Sequence, residues 1–110
     1  MAQFAGRWIG HTRILRVEPT GRAIMKVDDG CCHRAIRATY RLSNPRAKGT
    51  ALAASARIIA VRIFYRHPRR DDPKVGDQGT VVIRRGQFRE PFFGLSFCDA
   101  KSASAGLCGA

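Results

Sequence analysis

Carboxylates are scarce in this chain of 110 residues: eight Asp and Glu stand against twenty Lys and Arg, and the formal net charge is +12. The few acids do not form the converging pair that acid–base catalysis needs. Asp28-Asp29, Asp71-Asp72 and Asp77 all fall in turn-like strings, where Asp bonds to nearby backbone. Lysine is scarce as well, since sixteen of the twenty cations are Arg. No apolar run approaches the ~18 residues of a membrane-spanning helix. No P-loop and no dinucleotide fingerprint occurs. The nearest approach to a nucleophile elbow, Gly94-Leu95-Ser96-Phe97-Cys98, lacks the second glycine. Cys32-His33 is no better as a nucleophile and base, because neighbours on a strand point to opposite faces. These gaps point away from an enzyme and predict no cofactor.

What is present reads as one domain of the all-β class. Apolar residues make up 45% of the chain, which is enough for a core. Trp8–Val17 reads as a first strand. Leu15 and Val17 share one face while Trp8 and Ile14 share the other, so Gly10 is read as a bulge that switches the phase. Glu18-Pro19-Thr20-Gly21 is a turn. Arg22–Val27 follows as a strand with Ala23, Met25 and Val27 on one face. Arg34–Leu42 has the cleanest alternation, with Ile36, Ala38, Tyr40 and Leu42 opposite Arg37, Thr39 and Arg41. Ser43–Gly49, with Asn44-Pro45, reads as a loop. The stretch from about Thr50 to Tyr65 reads as a long strand, on which Ile59, Val61, Ile63 and Tyr65 form an alternating face. Arg66–Gly79 is the longest loop. Thr80–Arg85 and Phe88–Cys98 complete the set, with Pro91 interrupting the last. Six strands joined by short turns predict an antiparallel meander that closes into a barrel or sandwich over residues 1–98, followed by a small polar tail, 99–110.

Four cysteines, Cys31, Cys32, Cys98 and Cys108, are many for so short a chain. An even count predicts two disulfides and therefore an oxidising compartment. A bond between the adjacent Cys31 and Cys32 would distort its own peptide link, so each is expected to pair with Cys98 or Cys108, and Cys108 then ties the tail down. Zinc on Cys31, Cys32, His33 and Cys98 or Cys108 ranks below this, because structural sites usually carry a closely spaced C-x₂₋₄-C pair. Met1-Ala2-Gln3 lacks the basic start and apolar core of a signal peptide, so an exported protein of this sequence would be the mature part.

Gly6-Arg7-Trp8 resembles the Gly-x-Trp that opens lipocalins and related calycin barrels. The resemblance implies a Trp packed across the closed end of a barrel, and a pocket beside it to which Trp8, His11 and Tyr40 would contribute. The longer string Phe4-Ala5-Gly6-x-Trp8-x-Gly10-His11, with Leu15-x-Val17 and Gly21, is similar to small exported actinobacterial proteins, including mycobacterial ones, of unassigned activity. That implies secretion or a cell-envelope location. Val75–Val82 looks like the G-D-x-G-x-V turn of small RNA-binding and translation-factor barrels; a Gly-rich turn feeding a strand is the better account of it.

The basic residues are the best organised feature. Arg37 and Arg41 share a face; Arg57 and Arg62 flank the apolar stretch of the long strand; Arg66, Arg69 and Arg70 crowd the long loop; Arg84 and Arg85 end the next strand. Guanidinium forks suit phosphate and carboxylate, so Arg37, Arg41, Arg62, Arg66, Arg69, Arg70, Arg84 and Arg85 are the candidate anion-binding residues. The expected function is a secreted, disulfide-stabilised, non-catalytic protein that binds a lipid headgroup, a glycan or an acidic protein partner. The alternative is an intracellular nucleic-acid-binding barrel that uses the same arginines. A third reading has the loop Arg66–Gly79 inserting into a partner.

Overall fold

The computed structural model describes residues 1–28, 35–64, 69–106 and 108. Across these residues the strands are β1 (Gly6–Gly10), β2 (Arg13–Val17), β3 (Arg22–Asp28), β4 (Ala35–Lys48), β5 (Ala51–Phe64), β6 (Gln78–Arg84), β7 (Gln87–Arg89) and β8 (Ser96–Cys98), followed by a short helix α1 (Ala100–Ser104). Each strand pairs antiparallel with the next, and β8 returns to β1, so the sheet closes into a barrel.

The barrel class is therefore as the sequence predicts, but it has eight strands where six were expected. Each extra strand comes from splitting an expected one. Trp8–Val17 is a hairpin that turns at His11-Thr12, with Thr12 at φ 58°. Trp8 and Leu15 are cross-strand partners and both point inward. The change of phase comes from this turn, and Gly10 pairs regularly with Arg13 rather than forming a bulge. Phe88–Cys98 likewise splits into β7 and β8 around residues 90–95.

Ser43–Gly49 is not a loop, because β4 continues to Lys48. The register between β4 and β5 shifts between Ser43 and Arg46, where Asn44 takes φ 51°. Pro45 sits in that irregularity, where a residue without an N–H interrupts no ladder bond. A second irregularity falls at Thr39/Tyr40: Tyr40 pairs with Ile58 and Thr39 with Ala60, which leaves Ile59 as the extra residue. The bulge turns Ile59 outward, so it does not join the inward face of Val61 and Ile63 expected from alternation.

Period-two alternation fills the interior. Leu15, Met25, Ile36, Tyr40, Ile58 and Phe88 are all buried there. At the start of the chain the Trp8 indole Nε1–H donates to the Phe4 carbonyl at 2.9 Å. The Trp8 ring packs 5.4 Å from Phe88, which in turn meets Phe4 edge-on at 6.4 Å. The indole thus gains its apolar contacts without an unpaired donor.

Cys98 is bonded to Cys108 with a Cα–Cα distance of 5.8 Å. This corrects the expected pairing of Cys98 and Cys108 with Cys31 and Cys32, which lie outside the described residues. The turn that brings Cys108 back is α1. Its start is capped by Asp99, whose Oδ1 accepts from the Ser102 N–H at 2.8 Å.

The seam between β1 and β8 is narrow: Ile9 and Cys98 are its one backbone pair, against five between β1 and β2. Arg13 reinforces it from inside the barrel mouth. Its Nε–H and Nη2–H donate to the Ser96 carbonyl at 2.9 and 2.7 Å, and its guanidinium lies 5.5 Å over the Phe97 ring. Gly10 makes room for this arrangement, since a Cβ there would lie 2.6 Å from Arg13 Nε.

Candidate anion-binding face

The site follows from register. On β3 the inward set Ala23, Met25 and Val27 leaves Arg22, Ile24 and Lys26 facing out. On β4 the same alternation puts Arg37, Thr39 and Arg41 outside, and on β5 it exposes Arg57, Ala60 and Arg62. Pairing aligns them. Lys26 stands opposite Arg37, and Arg37 opposite Arg62. Four residues along, Arg22 stands opposite Arg41, and Arg41 opposite Arg57. Between these rows runs Arg16–Ile24–Thr39–Ala60, with Arg7 opposite Arg16 at its β1 end.

Strand spacing and rise set the scale. Three adjacent strands span about 10 Å, and four residues along a strand about 14 Å. Across β3–β5 the face is thus two cationic ridges flanking a trough floored by Ile24, Thr39 and Ala60, with Arg16 and Arg7 at its β1–β2 end. No carboxylate stands in either ridge. Directly opposed like charges on a sheet are destabilising by a few tenths of a kcal/mol per pair or more.

Several acids are engaged elsewhere. Asp72 Oδ2 accepts from the Arg69 N–H at 2.8 Å, and Asp77 Oδ2 from the Lys74 N–H at 3.0 Å. Asp99 caps α1. Glu90 is the one charged side chain buried among the described residues. It accepts from the amides of Phe92, Phe93 and Leu95 at 2.7–3.1 Å and so shapes the β7–β8 loop. Burial pushes its carboxyl above the usual range, while those three amides and the Tyr40 hydroxyl pull the other way. Tyr40 is affected in turn. Burial first, then the Glu90 charge and hydrogen bond, raise its hydroxyl far above the ordinary phenol value.

Of the sequence-predicted anion-binding residues, Arg37, Arg41 and Arg62 come together on this face. The Arg37 Nη1–H reaches the carbonyls of Ile36 and Val27 at 3.0 and 3.3 Å, and the Arg62 guanidinium lies 5.4 Å over the Phe64 ring. Arg69 and Arg70 are exposed on the β5–β6 connection. Arg84 and Arg85 line a separate groove with Val82, Gln87 and Arg89. Arg66 lies outside the described residues. Trp8 and Tyr40 are both inside the barrel, whereas His11 sits in the exposed β1–β2 turn.

Sequence reasoning missed Arg7, Arg16, Arg22 and Lys26 as members of the face, and noted Arg57 beside Arg62 on the long strand without counting it among the anion-binding candidates. The signal was available in Arg22–Val27, where the three inward residues fix Arg22 and Lys26 outside. A smaller groove beside the trough is lined by Arg7, Ile9, Ile14, Lys26 and Arg37 among others. In the Val75–Val82 string, the Gly76 N–H donates to the Ile58 carbonyl at 2.9 Å and so pins the turn that feeds β6. Comparison with protein-family models, curated proteins and solved structures gives no match for this chain.

Proposed function

We propose that this barrel is an exported, non-catalytic binding protein whose β3–β5 outer face takes an anionic ligand or surface. One observation carries the reading. The register aligns Lys26–Arg37–Arg62 and Arg22–Arg41–Arg57 in two ridges with no intervening carboxylate, and an anion laid across them offsets the repulsion. Lipid headgroups, acidic glycans and acidic protein surfaces share the chemistry the ridges recognise. The Cys98–Cys108 bond supports an oxidising compartment. The resemblance of Phe4–His11 to exported actinobacterial proteins points the same way.

The test is heparin affinity as a function of salt. The double variant Arg41→Gln/Arg57→Gln is expected to bind about tenfold more weakly than the parent, with a log–log salt slope shallower by about two. Arg84→Gln/Arg85→Gln, on the separate groove, is the control. Equal losses in both variants would show that net charge, not this face, does the binding. Duplex DNA bound in preference to heparin, by protein whose four cysteines alkylate without reductant, would favour the intracellular nucleic-acid reading.

A further inference from the structure

Three large apolar side chains are exposed among the described residues: Ile59 at 39%, Phe64 at 50% and Val75 at 62%. All three lie on β5 or the connection that follows it. Ile59 is the extra residue of the β4–β5 bulge, turned out at the edge of the cationic face. Val75 is brought beside it, because the Gly76 N–H donates to the Ile58 carbonyl at 2.9 Å and the Ile58 N–H to the Asp77 carbonyl at 3.0 Å. Phe64 lies five residues beyond Ile59 along β5, about 17 Å away. Five exposed cations lie along the same stretch of chain, Arg57 and Arg62 on β5 and Arg69, Arg70 and Lys74 on the connection, with the Arg62 guanidinium 5.4 Å over the Phe64 ring. Asp71 is exposed in the same connection, while Asp72 and Asp77 are tied to its backbone.

We propose that this β5 ridge docks on an anionic lipid bilayer, with Ile59, Phe64 and Val75 entering the headgroup boundary and the five cations at the level of the lipid phosphates. The inference rests on the anion-binding reading and narrows it to one partner. Separate apolar tips interleaved with cations suit a bilayer, whose surface is apolar a few ångströms below a layer of negative charge. A protein partner would instead call for a contiguous apolar core depleted of charge. The β-bulge contributes directly, because without the extra residue Ile59 would not be displaced from regular alternation.

The test is co-sedimentation with vesicles of phosphatidylcholine mixed with phosphatidylglycerol, against phosphatidylcholine alone, with heparin binding measured in parallel. The parent chain is expected to bind only the anionic vesicles. Ile59→Ser/Val75→Ser, at exposed positions that leave the core intact, is expected to lower that binding about tenfold while leaving heparin affinity unchanged. Arg57→Gln/Arg62→Gln is expected to lower both, about fivefold per charge at the membrane. Vesicle binding insensitive to Ile59→Ser/Val75→Ser overturns the proposal, as does heparin binding without vesicle binding, and in both cases the anion-binding reading stands. Binding to neither probe overturns both.

Discussion

Replacing Arg13 by Met should loosen the barrel at its narrowest join. One backbone pair, Ile9 with Cys98, closes the sheet, and the Arg13 guanidinium adds two charge-assisted bonds to the Ser96 carbonyl. Hydrogen bonds to charged groups contribute about 1.5–3 kcal/mol, and the stacking on Phe97 adds roughly 1 kcal/mol or less. Met keeps an apolar stem against Phe97 but donates nothing, so the expected loss is about 2–3 kcal/mol. For a domain of this length that lowers Tm by about 10 °C. Thermal melts followed by circular dichroism read the total. Native-state hydrogen exchange should find the added opening confined to the amides of β1 and β8. Gly10→Ala provides an independent check, because its Cβ would collide with Arg13 Nε and Cζ. Alone it should cost about 1–2 kcal/mol by pushing the guanidinium off Ser96. In the Arg13→Met background that cost should largely vanish. An unchanged midpoint for Arg13→Met, or full additivity with Gly10→Ala, would refute the view that this side chain fastens the seam.

Two other groups give measurable outcomes. Burial raises the folded-state pKa of Glu90, so its contribution is complete below the unfolded carboxylate pKa and is lost as pH rises through the raised value. Between about pH 4 and neutrality, denaturant titrations should therefore show the parent losing stability relative to Glu90→Gln. A relative gain would mean that the amides outweigh burial. Cys108→Ser opens a loop with sequence separation 10 and should cost up to about 3 kcal/mol. Melts with and without reductant should reproduce this in the parent and show no difference at that bond in the variant.

The fold was legible wherever one rule, alternation with period two, decided the matter. Arg22–Asp28 and Ala35–Leu42 read directly because every second residue is apolar. The β1–β2 hairpin was missed because His11-Thr12 carries neither Gly nor Pro, and the change of face looked like a bulge instead. Pro45 suggests a loop because proline usually ends a central strand, whereas the register shift between Ser43 and Arg46 accommodates it. The cysteine pairing failed because a five-residue helix is too short to show periodicity; only Asp99, at a capping distance from Ser102, announced it. Half of the candidate face was visible as Arg37, Arg41, Arg57 and Arg62. The remainder needed the cross-strand register, which depends on turn lengths and bulges that composition does not reveal.

The meander also bears on how the chain reaches this state. Every strand meets its sequence neighbour except at the seam, where Arg13 reaches Ser96 across a separation of 83 residues. Loop closure over such a distance is entropically unfavourable until the intervening hairpins are in place. Closure is then expected to be the last event of folding and the first of unfolding, an order that hydrogen exchange at the β1 and β8 amides would check. Interactions formed after the rate-limiting barrier govern how long the native state lasts rather than how quickly it forms. Arg13 and the Cys98–Cys108 link should accordingly set the lifetime of the closed barrel rather than its speed of assembly.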